Sequence, residues 1–271
     1  MIPSRGLRAL TPLLAVAALG TATAANADPS DDYINPDRPG IADGSTTVGN
    51  GHFQIETAIQ TEFRHDGDEH ERTMFFPTLL RYGFADKVEV RVEGNTYSWM
   101  RQKDSTGTSH SDGFAPTSIG LKYNFADAPE GSKRVSLGAI ARVFPPSGSG
   151  EFRNSKTTGD FRLAADWAFS DKWSLNPNIG VGVFQDDSNR TYTAGLFAAT
   201  LNFNPSKTLN FFADTGIQAP EEKGGKTSVI IDAGVAYIIG HDIQLDLSAG
   251  TGVAGSTTPH PFLAAGFSKR F

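Results

Sequence analysis

Apolar and polar residues alternate with a period of two along most of this chain. The clearest run has Phe53, Ile55, Thr57, Ile59, Thr61 and Phe63 interleaved with Gln54, Glu56, Ala58, Gln60, Glu62 and Arg64. That period sends successive side chains to opposite faces, so it predicts a strand with one apolar and one polar side. It recurs as Val88, Val90 and Val92 against Glu89, Arg91 and Glu93, and as Phe161, Leu163, Ala165 and Trp167 against Arg162, Ala164 and Asp166. Near the C-terminus Ile243, Leu245 and Leu247 alternate with Gln244, Asp246 and Ser248. No long window carries apolar residues at i, i+3, i+4 and i+7, so helices are not predicted.

The strand endings repeat as well. Tyr82-Gly83-Phe84 precedes Ala85-Asp86-Lys87, Tyr123-Asn124-Phe125 precedes Ala126-Asp127, and Trp167-Ala168-Phe169 precedes Ser170-Asp171-Lys172. Phe203 stands before Asn204-Pro205-Ser206-Lys207, and Tyr237-Ile238-Ile239 before Gly240-His241-Asp242. These endings fall 34 to 44 residues apart, an interval that suits a hairpin of two membrane-length strands plus one longer loop.

Twelve strands result, at approximately 52–64, 73–84, 88–100, 114–125, 134–144, 159–169, 173–185, 190–203, 208–219, 227–239, 243–253 and 261–271. Both termini lie on the side of the mostly short turns. Longer polar connections, at 65–71, 101–113, 145–158, 186–189, 220–225 and 254–259, lie on the other. Even parity with that asymmetry predicts an all-β, up-and-down antiparallel barrel in the outer membrane of a Gram-negative bacterium, built from residues 51–271. The aromatic endings then form a girdle at the inner membrane interface. A soluble sandwich is the competing reading, but its strands usually run to five or six residues and carry no girdle.

Composition narrows the chemistry. Gly 29, Phe 19 and Met 3 fit β structure, and Cys 0 excludes disulfides, thiolate metal sites, a cysteine nucleophile and a lipid-modified N-terminal cysteine. A formal net charge of −6 argues against a nucleic-acid partner, which needs a basic stripe to neutralise phosphates. The first 27 residues read as a signal peptide: Arg5 and Arg8, an apolar stretch from Ala9 to Leu19, and Ala25-Asn26-Ala27 as the cleavage pattern. The apolar run is too short for a membrane anchor. Its removal takes away two arginines and no acid, which moves the net charge of −6 to −8.

At the C-terminus Leu263, Ala265, Phe267 and Phe271 share one face, and the chain stops at an aromatic. This resembles the terminal signature read by the outer-membrane barrel insertion machinery, with Phe267 and Phe271 as the assembly signal and Lys269 as a departure. The chain also resembles a family of outer-membrane transporter-like barrels associated with the phenol meta-degradation pathway. The residues that carry this are Asp37-Arg38-Pro39, Thr47-Val48, Gly51-His52-Phe53-Gln54-Ile55-Glu56, Asp232-Ala233-Gly234, Gln244-Leu245-Asp246-Leu247 and Ala265-Gly266-Phe267. Ser45 and Gly49 stand where the family often has prolines. The resemblance implies an outer-membrane barrel that passes small hydrophobic or aromatic compounds.

Candidate chemistry is sparse. All six histidines lie in loops or at strand ends, without the hydroxyl and orienting group that a Ser-His dyad requires, so an enzyme is not predicted. The run His65, Asp66, Asp68, Glu69, His70 and Glu71 could offer a divalent-cation site or be a solvated acidic loop; the loop is preferred, so neither metal nor cofactor is expected. Asp186-Asp187 and Glu221-Glu222 read as ordinary loop charges.

The informative charges lie on strands, where the polar face of an outer-membrane barrel points into the lumen. Parity turns Glu56, Arg91, Glu93, Arg142, Arg162, Asp166, Asp214, Asp232 and Asp246 inward as pore-lining residues. They either pair and fill the lumen or stand against water in a pore, and twelve strands is an intermediate size that allows both. Residues 28–50 read as loop, either a periplasmic tether or a plug with Arg38 paired to Glu56 or Asp246; the tether is slightly preferred. The expected function is passive passage of small solutes, with membrane lipid as the surrounding partner. The alternative is a closed structural or surface-interaction barrel without transport.

Overall fold

A computed structural model describes residues 33–129, 131–256 and 258–271. The predicted signal peptide and residues 28–32 lie outside the described residues. Thirteen strands follow one another: β1 (Phe53–Asp66), β2 (Glu69–Ala85), β3 (Val88–Lys103), β4 (Thr108–Gly113), β5 (Thr117–Ala126), β6 (Val135–Phe144), β7 (Thr158–Ala168), β8 (Trp173–Gln185), β9 (Thr191–Ser206), β10 (Leu209–Ala219), β11 (Ser228–Ile239), β12 (Ile243–Ala254) and β13 (Phe262–Arg270). Every pairing is antiparallel, and each strand of the wall bonds to its neighbours in sequence. Closure comes from β1 on β13, in register from Gln54↔Arg270 to Glu62↔Phe262. The result is a twelve-strand closed barrel plus one extra strand.

That extra strand corrects the sequence reading at 101–113, expected as a loop. The lower part of β3, Val88–Gly94, pairs with β5, while its upper part, Ser98–Lys103, pairs with β4. Above the barrel β1 to β4 thus form a four-stranded ribbon. The connection expected at 65–71 likewise narrows to Gly67 and Asp68 between β1 and β2. Backbone pairing extends these hairpins through polar residues that show no hydrophobic alternation.

The burial pattern is the inverse of a soluble protein. Ile59, Ile119, Ile179, Leu247 and Leu263 are each more than half exposed, whereas Glu56, Glu89, Arg81, Arg91 and Lys122 are buried at 0 or 1 %. An apolar band faces outward and the polar residues line the inside, as lipid requires. No helix among the described residues is long and apolar enough to cross a membrane. The strand endings carry outward rings at one level: Tyr82, Phe84, Tyr123, Phe125, Trp167, Trp173, Phe211, Tyr237 and Phe271 are exposed. Trp173 packs on Phe203 at 4.7 Å and Phe53 on Phe271 at 5.9 Å between ring centroids.

Candidate functional site

Residues 33–50 form a re-entrant segment inside the barrel, entered from the end where the chain termini and short turns lie. The segment is tied at its start by Ile34 N–H donating to the His241 carbonyl at 2.7 Å and by Tyr33 stacked on His241. Its return is tied by Thr47 Oγ1 donating to the Asp86 carbonyl at 2.6 Å and Val48 N–H to Glu89 Oε2 at 3.0 Å. Gly44 N–H donates to Asp37 at 2.9 Å, which closes the segment on itself. The tether expected for this stretch is therefore not what residues 33–50 form. Irregular backbone has no ladder to satisfy its N–H groups, and inward carboxylates and amides of the wall supply that role instead.

Those partners include four of the predicted inward residues, Glu56, Asp166, Asp214 and Asp246. Of the two pairings considered for Arg38, its guanidinium makes the one with Asp246, at 3.1 Å; Glu56 instead accepts its backbone N–H at 2.9 Å. Ile41 N–H donates to Asp214 at 2.8 Å, and Ser45 donates to Asp166 through N–H at 2.8 Å and through Oγ. Gly138 on β6 leaves room for this approach, since a Cβ there would meet the Ser45 carbonyl oxygen at 2.5 Å.

Eight further charged wall residues and two acids of the segment complete an ion-pair network around these. Arg81 holds Glu89 at 2.8 Å and Glu56 at 2.9 Å. Arg91 and Lys122 converge on Asp37 at 2.8 and 2.9 Å, and Arg91 also holds Asp43 at 2.9 Å. Higher up, Arg142 joins Glu93 and Asp160 at 3.0 Å each, while Arg162 sits more loosely at 3.4 Å from Asp43 and 3.3 Å from Asp160. Burial pushes the Asp37 carboxyl up, but Arg81, Lys122 and Arg91 outweigh it and hold the group far below the usual range. Asp43 is likewise raised by burial and lowered more strongly by Arg91 and Arg142, ending at about 2.

Sequence reasoning missed Arg81, Glu89, Lys122, Asp160, Asp37 and Asp43. Glu89 sits on the same alternation as Arg91 and Glu93, and Lys122 alternates with the outward Leu121 and Tyr123, so parity could have found both. Asp37 and Asp43 lie in irregular chain, where no period exists to read.

The network is lopsided. Arg81, Arg91, Lys122, Arg142 and Arg162 all come from β2 to β7. On the opposite wall Asp214, Asp232 and Asp246 come from β10, β11 and β12, with Arg38 as the nearby cation. Asp214 and Asp232 are direct cross-strand neighbours whose carboxyls share the same side of the wall, and among the described residues Asp246 Oδ2 is buried without a hydrogen-bond partner. Two cavities flank the segment. One of about 450 Å³ lies toward the short turns, and one of about 1160 Å³ opens among the long loops; Asp37, Arg38 and Gly40 line both.

The other candidates fall outside the lumen or carry loop geometry. His65 and His70 share an Nδ1–Nδ1 hydrogen bond of 2.8 Å, and among the described residues no three histidine or acidic side chains gather as metal ligands. Asp186 and Glu221 are more than loop charges: both are buried, Asp186 accepting from Arg190 and Glu221 from Ser256. Phe267 and Phe271 face outward at the girdle.

Comparison with protein families finds the one described as "Putative MetA-pathway of phenol degradation", matched over residues 36–271. The chain belongs to this family. Among solved structures it is similar to an outer membrane channel from Pseudomonas putida F1, at 12% identity and TM-score 0.67, covering 91% of this chain and 100% of that one. It is also similar to the transport unit of the autotransporter AIDA-I from Escherichia coli, at 9% identity and TM-score 0.51, covering 82% and 90%. The beta domain of the Bordetella autotransporter BrkA matches at 13% identity and TM-score 0.50, covering 82% and 100%. A comparison of the sequence with curated proteins returns no match. These likenesses agree with the architecture, the barrel of outer-membrane proteins.

Proposed function

We propose that this family member is an outer-membrane channel for small solutes, with the long-loop end outward and residues 33–50 narrowing the lumen as an internal plug. One observation carries the reading: two water-accessible vestibules meet from opposite sides at Asp37, Arg38 and Gly40. A barrel built only as a scaffold has no need of two cavities stacked along its axis. The segment stands between them, and the acids of β10 to β12, with only Arg38 near, give the constriction a weak negative field that draws cations and opposes anions. Phe144, Phe184 and Tyr192 add apolar surface to the outer vestibule, which suits the small aromatic compounds implied by the family's description.

The density of buried ion pairs around Arg81 favours the second reading, a closed barrel, because paired charges fill space and exclude water. Single-channel recording in planar bilayers separates the two. The channel reading expects small conductance steps with weak cation preference, and larger steps after deletion of residues 37–44. Absence of steps in both proteins supports the closed barrel. Liposomes carrying the protein should also take up a small aromatic solute faster than empty ones; equal rates remove the aromatic assignment and leave the channel.

A further inference from the structure

Beyond the lumen, the ribbon formed by β1 to β4 has two faces of different chemistry. Register places Phe63, Arg72, Arg101 and His110 in one row across the four strands, and His65, His70, Lys103 and Thr108 in the next. Both rows lie on the face continuous with the lipid-facing side of the barrel. Below them on the same face is the row that carries Trp99, whose ring packs against Phe76 at 5.5 Å and Tyr97 at 4.7 Å, with Phe114 beside Tyr97 at 5.0 Å. Such an outward aromatic cluster marks the boundary between hydrocarbon and headgroups. The cationic rows therefore stand one step further out, at headgroup height.

The charges on that face are unbalanced. Arg72 is directly opposite Arg101, a like-charge cross-strand pair that destabilises a sheet unless something lies between the charges. Arg72, Arg101 and Lys103 are exposed and have no ion pair among the described residues; Arg72 leans over the Phe63 ring at 5.9 Å. Glu69 and Glu71 turn to the other face, where both accept from Gln102. Asp112 shares the cationic face, but it accepts the Tyr97 hydroxyl.

We propose that this face binds phosphate groups of the anionic glycolipid in the outer leaflet, with Arg72, Arg101 and Lys103 as phosphate ligands above the aromatic row. The inference rests on the outward orientation of the long-loop end. Guanidinium groups match phosphate geometry in paired hydrogen bonds, and a lipid phosphate placed between Arg72 and Arg101 removes their repulsion. Geometry selects a lipid over a soluble anion, because the rings directly below lie against acyl chains.

The test measures binding of fluorescent diphosphoryl lipid A to the detergent-solubilised protein, beside the same glycolipid stripped of phosphate. The native protein should bind the phosphorylated form at least about tenfold more tightly. Variant R72Q/R101Q/K103Q should lose roughly a hundredfold, at about fivefold per basic side chain near an anionic surface, with its heat-dependent gel mobility unchanged. If that variant fails to fold, R101Q alone should lose about fivefold. Equal binding by the variant, equal binding of the stripped glycolipid, or complete displacement by inorganic phosphate would each overturn the proposal. Loss of heat-dependent mobility in the native protein would instead strike the membrane-barrel reading, so the two failures are distinguishable.

Discussion

Arg81 shows how much one side chain holds in this lumen. It is 1% exposed, touches Glu56 and Glu89, and donates to the carbonyls of Asn35 and Thr46. Truncating one member of a buried ion pair strands its partners, so Arg81→Ala should destabilise the barrel by about 3–5 kcal/mol in urea unfolding. Arg162→Ala, at a looser pair whose guanidinium is 21% exposed, should cost less, about 1–2 kcal/mol. The acids of the segment set a pH window. A carboxyl held below its unfolded value contributes stability fully above that value and loses it as pH falls through the folded value. For Asp43 that loss is centred between 3.8 and about 2, and for Asp37 it falls lower still. The contacts of Asp37 and Asp43 with the basic wall should therefore hold from pH 7 to pH 4.5. Deleting residues 37–44 should raise single-channel conductance by the same factor at both values; native conductance matching the deletion variant at pH 4.5 would contradict this.

Among the elements, the segment of residues 33–50 depends on what the strands leave empty. Gly138→Val places carbon where the Ser45 carbonyl lies, so it should shift the segment at a cost of about 1–3 kcal/mol. The expected readout is higher conductance with unchanged heat-dependent mobility; unchanged conductance would mean that Ser45 yields without opening a path. The outer surface of the same strands obeys the opposite rule. Leu247→Arg, in the lipid-facing band, should cost up to about 2–4 kcal/mol of folding stability in vesicles, and unchanged stability would remove Leu247 from that band. At the chain end, removal of Phe271 should lower membrane insertion far more than Phe152→Ala, because the first sits on the girdle at the closing strand and the second on an outer loop. Equal insertion would mean that the terminal aromatic is not read.

For the whole molecule, the uneven distribution of charge matters more than its total. Five basic residues on β2 to β7 are matched by acids around them, while Asp232 and Asp246 face the lumen with only Arg38 near. Changing both to Asn should weaken cation preference, measured as a shift in reversal potential under a salt gradient, and leave the barrel folded. A folded double variant with unchanged selectivity would assign these carboxylates to structure rather than to the pore field.

The sequence by itself determined the wall, because lipid outside and water inside impose a two-residue period on most of the spanning strands. Strand number, inward parity and the aromatic girdle all follow from that period and the turn residues. It could not yield β4, since Thr108 to Gly113 is polar on both faces and carries no hydrophobic alternation. Arg81 was hidden because Leu79 and Leu80 break the alternation beside it. The path of residues 33–50 belonged wholly to tertiary structure. Segment acids and backbone N–H groups meet wall partners far away in sequence, as Ile41 does Asp214, and such long-range pairing leaves no local pattern to read.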